Sequence, residues 1–78
     1  MTLKIISPSE ILFEGKADSV TLPGELGSFT VLKNHASIIS VLNKGKIVFR
    51  TPEGKEEEVD IKGGLVDVDN NVVSVCVY

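Results

Sequence analysis

Apolar side chains recur along this chain every second residue, and β-branched residues fill many of those positions from one end to the other. The three-to-four-residue spacing of an amphipathic helix is hard to find anywhere, so the pattern predicts strands throughout. Leu3 and Ile5 alternate with Lys4, Ser7-Pro8-Ser9 interrupts, and Ile11-Leu12-Phe13-Glu14 resumes. This predicts a hairpin over residues 2–14 in which Pro8 fixes φ and ends the first strand. Ser19-Val20-Thr21-Leu22 forms the next strand and stops at Pro23-Gly24, a pair suited to the centre of a type II turn. A short strand from Ser28 to Leu32 follows. Lys33-Asn34-His35 predicts a loop, because Asn tolerates positive φ and none of the three favours burial.

Ser37 to Leu42 is again apolar-rich, and Asn43-Lys44-Gly45 turns into a strand from Lys46 to Thr51. Pro52-Glu53-Gly54 presets a turn and supplies a residue without a Cβ, which predicts a hairpin over residues 46–62. Its return strand sets Val59 and Ile61 against Glu58, Asp60 and Lys62, as in a half-buried antiparallel strand. Gly63-Gly64 breaks the alternation. Leu65 to Val68 and Val72 to Val77 then make a terminal hairpin, with Asp69-Asn70-Asn71 bonding its own backbone in the turn. About nine to ten short strands at this turn spacing predict an all-β fold, a flattened antiparallel β-sandwich or barrel.

Length allows a single domain over residues 1–78, because a chain this short has room for one hydrophobic core. At 42% hydrophobic and 24% charged residues it is too apolar for a disordered chain. A net charge of −3 leaves no basic stripe, so nucleic acid and anionic lipid surfaces are not expected partners. Met1-Thr2-Leu3-Lys4 lacks the features of a secretory signal, and the single Cys76 fits a reducing compartment.

Few residues carry candidate chemistry. His35 is the only histidine; with Ser37 it suggests a hydrolytic pair, but no G-x-S-x-G elbow accompanies it, and a loop histidine that bonds carbonyls or meets a partner is the simpler reading. Asp67-Val68-Asp69-Asn70-Asn71 begins like a calcium loop, yet Val72 stands where the loop needs Gly and Tyr78 where it needs Glu, so a solvated turn is expected and no metal. The glycines lack phosphate-cradle spacing, and no helix follows them. Glu56-Glu57-Glu58 reads as a charged strand face that discourages edge pairing, and Cys76 as a small hydrophobe. No catalytic residue, cofactor or small-molecule substrate is expected. A different function class, a lipoyl- or biotinyl-type carrier, would need a modified Lys at a hairpin tip. Lys55 is the sole candidate, and Gly54-Lys55-Glu56 lacks the Met-Lys-Met or Asp-Lys-Ala setting.

The segment from Leu22 to Ala36, Leu-Pro-Gly-Glu-Leu-Gly-Ser-Phe-Thr-Val-Leu-Lys-Asn-His-Ala, followed by Leu42-Asn43-Lys44-Gly45-Lys46-Ile47, resembles the epsilon subunit of F-type ATP synthases. Leu3-Lys4-Ile5-Ile6-Ser7-Pro8, Phe13-Glu14-Gly15 and Ile61-Lys62-Gly63-Gly64-Leu65-Val66-Asp67-Val68 extend the likeness over nearly the whole chain. The resemblance implies a non-catalytic β-sandwich on the central rotor, at the cytoplasmic face of a bacterial membrane. Its partners would be the gamma subunit and the ring of c subunits, and it would couple ion translocation to ATP synthesis. Gly24, Glu25, Gly27, Ser28 and Phe29 would face the c ring, and Lys33, Asn34, His35 and Ala36 would lie near gamma. Ser28, Thr30 and Lys33 replace residues the family often has as acidic, Gly and Pro, which changes the charge pattern expected at the c-ring contact. The family usually continues into a two-helix domain that can inhibit hydrolysis. A naturally short subunit without that regulation is the expectation drawn from a chain ending at Tyr78.

Overall fold

A computed structural model describes residues 1–78, all of whose regular structure is strand. The nine strands are β1 (Thr2–Ile6), β2 (Ile11–Lys16), β3 (Ser19–Gly24), β4 (Gly27–Leu32), β5 (Ile38–Leu42), β6 (Gly45–Arg50), β7 (Glu56–Ile61), β8 (Gly64–Asp69) and β9 (Val72–Val77). They follow one hydrogen-bonded path, β2-β1-β9-β8-β5-β3-β6-β7, with β4 on the other side of β3. The step from β5 to β3 is a single pair, Gly24 with Leu42, so the path divides there into two layers. The first holds β2, β1, β9, β8 and β5, and the second β4, β3, β6 and β7.

Strict alternation is what lets the layers close on each other. In β1 and β3 every second residue is buried, and β8 and β9 alternate buried with exposed from end to end. Leu3, Ile5, Val66, Val68, Val73 and Val75 of the first layer share one core with Val20, Leu22, Val31, Ile47 and Phe49 of the second. The layers also meet near one edge: Phe13 of β2 and Phe49 of β6 have ring centroids 4.4 Å apart, so the sheet is curled rather than open. No polar or charged side chain is buried.

The predicted hairpins over 2–14, 46–62 and the last strand pair are present, with every strand in the expected order. Asn70 and Asn71 both adopt positive φ, 49° and 64°, as a two-residue turn of the primed type demands. In four places the structure departs from the sequence pattern.

Pro23-Gly24 is not a turn. Both residues lie in β3, paired with Ser28 and Gly27, and the chain reverses at Glu25-Leu26. Pro23 is tolerated because β3 changes partner beside it, from β6 at Thr21 to β5 at Gly24, so no ladder bond requires its missing N–H. Its carbonyl still accepts the Asn43 N–H at 2.8 Å. The sheet is also not wholly antiparallel, because β1 pairs in parallel with β9 from Thr2–Val72 to Ile6–Cys76. Local turn signals cannot report a pairing between residues so far apart. Cys76 is exposed, since Val73, Val75 and Val77 occupy the inward parity of β9. Finally, the Asn71 side chain does not bond its own turn; its Oδ1 accepts the Asn34 N–H at 2.8 Å and ties the 33–37 loop to the β8–β9 turn.

Candidate functional site

The two groups of candidate contact residues stand at opposite ends of the sandwich. Residues 24–29 span the end of β3, a two-residue turn and the start of β4, and the Glu25 N–H donates to the Val41 carbonyl at 2.9 Å. Residues 33–36 follow the far end of β4 and lie against Asn71. Five strand steps separate Gly27 from Leu32, about 17 Å at the rise of an antiparallel strand. One flat partner surface at either end therefore meets one group and not the other.

Within the first group the roles divide. Gly24 is buried, and a Cβ on it would lie 2.7 Å from the Gly27 carbonyl oxygen and 2.8 Å from Cε1 of Phe29. The Phe29 ring closes over Gly24 and packs on the core, so it shapes the turn more than it offers contact surface. Glu25, Gly27 and Ser28 are exposed. The residue that sequence reasoning missed is Leu26, fully exposed at the turn tip at 102% of its reference area. An apolar residue between Glu25 and Gly27, at the middle of a polar turn, was the available signal.

In the second group Asn34 adopts φ 65° and the His35 N–H donates to the Leu32 carbonyl at 3.1 Å, which closes the turn after β4. His35 Nδ1 sits 2.6 Å from the Ala36 carbonyl oxygen, a contact satisfied by the tautomer that carries its proton there. Ser37 Oγ donates to Asp69 Oδ1 at 2.6 Å, not to His35, so the hydrolytic pair is not assembled. Lys33, Asn34 and Ala36 are exposed and His35 half-buried; Asn34, His35 and Ala36 border a shallow open depression that Asp69 and Asn71 complete. Lys55 closes the β6–β7 loop through backbone bonds with Thr51, and its Nζ lies 3.6 Å from Glu57.

Apart from the exposed Leu32 of β4, the outward face of the second layer is largely polar and internally paired. Thr21 and Thr30 share a hydroxyl hydrogen bond of 2.8 Å, Arg50 lies 3.6 Å from Glu56, and Lys46 reaches Glu58 at 3.0 Å and Asp60 at 3.7 Å. The hydrogen bond to Glu58 and the charge of Asp60 raise the Lys46 ammonium above the ordinary lysine range.

Comparison with known proteins places this geometry. The ATP synthase delta/epsilon chain beta-sandwich domain matches residues 1–78. The chain is 42% identical over 77 residues to an ATP synthase epsilon chain of Nitratiruptor sp., covering 99% of this chain and 60% of that relative. It is 44% identical over 75 residues to the epsilon chain of Wolinella succinogenes, covering 96% and 57%. This chain thus spans about 60% of the length of the curated relatives it matches. Among solved structures, a chain of the Euglena gracilis mitochondrial ATP synthase (OSCP/F1/c-ring) superposes with a TM-score of 0.90 at 22% identity, over 96% of this chain and 48% of that one. A chain of the Tetrahymena thermophila mitochondrial ATP synthase central stalk and c-ring does so at 0.83 and 16%, over 97% and 61%. These two distant likenesses speak for the fold, and the match through residues 1–78 with identities above 40% speaks for descent. The chain belongs to the beta-sandwich domain family of ATP synthase delta and epsilon chains.

Proposed function

We propose that this domain is a non-catalytic part of the central rotor of an F-type ATP synthase, gripping the gamma subunit and the c ring so that ion flow is coupled to ATP synthesis. The observation that carries the reading is the family match through residues 1–78, joined to relatives named as epsilon chains. The fold suits the task. One hydrogen-bonded path through two layers, over a core without buried polar side chains, makes a stiff body that moves load between its ends.

In this reading the turn of Gly24, Glu25, Gly27 and Ser28, with Leu26 at its tip and Phe29 supporting it, meets the c ring. Lys33, Asn34, His35 and Ala36 meet gamma. The separation of the two groups favours this division, because a rotor piece must hold two neighbours at once. The domain acts at the cytoplasmic face of the bacterial membrane and attaches through its neighbours; no helix of the chain is long and apolar enough to cross a membrane.

The test is co-purification with gamma and c-ring proteins from the same genome, with the 24–29 and 33–36 segments replaced singly and together. Loss of c-ring retention in the first variant and of gamma retention in the second is expected. Stoichiometric assembly with both segments scrambled would sink the proposal.

A further inference from the structure

The strands β2, β4 and β7 each pair on one side only. Two of these free edges are guarded: β7 carries Glu56, Glu57, Glu58 and Asp60, and β2 carries Glu14 and Lys16 opposite a register shift at Ile5/Ile6. The third is not. β4 is Gly-Ser-Phe-Thr-Val-Leu, six residues without a charge or a proline, in unbroken register with β3. Pro23 reveals which of its backbone groups face the open side. The Pro23 carbonyl turns away from β4 to the Asn43 N–H, so Pro23 and Ser28 stand opposite each other without exchanging ladder bonds. Ser28, and by parity Thr30 and Leu32, therefore aim N–H and C=O outward. Of these groups only the Leu32 carbonyl has a partner, the His35 N–H.

The two ends of this edge complement each other. Glu25 precedes β4 and Lys33 follows it; both are exposed, and neither is in an ion pair. Leu26 precedes it as well, exposed at 102%, and Leu32 ends it at 57%. An antiparallel copy of the same strand, related by a two-fold axis at Thr30, sets Thr30 against Thr30 and Ser28 against Leu32. Lys33 then falls opposite Gly27 of the other copy, one diagonal step from its Glu25, a reach that long side chains span. Leu32 falls beside the Leu26 turn. Every such contact occurs twice, and no like charges meet along the strand.

We propose that the free edge of β4 is a self-pairing surface, on which a second copy of this chain extends the layer β7-β6-β3-β4 into one continuous sheet. Backbone groups supply the bonds, and the order of Glu25 and Lys33 fixes the antiparallel register. This pairing stands apart from the rotor reading. Where both hold, the paired domain is one not yet on the rotor, since Glu25, Ser28 and Lys33 serve both contacts.

Sedimentation equilibrium of the full chain over a dilution series should show monomer exchanging with dimer. Amide hydrogen exchange reads the register: Ser28, Thr30 and Leu32 should slow as concentration rises, while Phe29 and Val31, already turned to β3, should change little. Thr30→Pro removes an outward N–H at the loss of the Thr21 hydroxyl bond, and Lys33→Glu sets like charges against each other. Each should weaken the dimer by at least about tenfold. Glu25→Lys combined with Lys33→Glu restores opposite charges and should recover it. Circular dichroism certifies the fold of each variant; should Thr30→Pro fail to fold, the charge swap decides alone. Leu65→Glu, on the other layer, should dimerise as wild type. A chain that stays monomeric at every concentration overturns the inference, and so does a dimer indifferent to Thr30→Pro and Lys33→Glu. Neither result bears on retention by gamma or the c ring.

Discussion

Gly64→Ala isolates a steric constraint that no side-chain motion can relieve. Gly64 opens β8 and pairs with Leu42 of β5 on one side and Val77 of β9 on the other. Its φ is not positive, so alanine meets no dihedral obstacle. The added Cβ would instead run into the Cys76 carbonyl oxygen, with Val77 Cα 3.1 Å and the Cys76 carbonyl carbon 3.2 Å away. All three are backbone atoms, so relief requires the end of β9 to leave β8. That surrenders a ladder bond, about 1 kcal/mol, and much of the burial of Val77, about 1.5–3 kcal/mol for a valine-sized side chain. The sum, about 2–4 kcal/mol, stands against a total of about 4–12 kcal/mol for a chain of this length. The thermal midpoint should fall by roughly 10–25 °C, followed by far-UV circular dichroism. Gly54→Ala is the comparison: φ is +86° but nothing lies within 4 Å of the new Cβ. Only the left-handed backbone is penalised there, by about 1–2 kcal/mol. A Gly64→Ala midpoint within a few degrees of wild type, or above that of Gly54→Ala, would refute the reasoning.

Leu22→Ala removes a side chain with no exposed area at the centre of the core and should cost about 2–5 kcal/mol, read as a lower urea midpoint at unchanged slope. Asn71→Ala combines a φ of 64° with loss of the acceptor for the Asn34 N–H, and about 2–3 kcal/mol is expected. Asn71→Gly should recover the backbone part alone, which distinguishes the two contributions. Because Lys46 is held protonated by Glu58 and Asp60, its folded pKa exceeds the unfolded one. Its stabilisation is therefore complete below the ordinary lysine range and disappears as pH rises through the raised value. The midpoint difference between wild type and Lys46→Met should be small and constant from neutral pH to about pH 10 and shrink above it; a difference that persists to the alkaline end rules this out.

Strand identity was legible because burial in a two-layer sheet imposes alternation, and alternation is written directly in Leu3-Lys4-Ile5 or Val73-Ser74-Val75. The same rule exposes the error over Cys76: parity, not residue type, decides which way a strand residue faces, and three valines already held the inward positions. Pro23-Gly24 misled because its turn chemistry is real in isolation, whereas the change of strand partner that shelters Pro23 is a tertiary fact. Of the site, the positions of the two loops were readable. Leu26 was not singled out, and the parallel pairing of β1 with β9 could not be read, because it joins strands that meet only through long-range register.

That register also dictates when the domain can form during synthesis. Residues 2–6 are made well ahead of residues 72–76, yet one full edge of them waits for that later strand. Until then the strand is an apolar ribbon with half its donors and acceptors unmatched, a template to which stray peptide could anneal. Completion is thus deferred until β9 has been made, and a slow, all-at-once acquisition of structure follows from so distant a pairing. Chains arrested before residue 72 should engage chaperones, while chains that carry all of β9 should escape them.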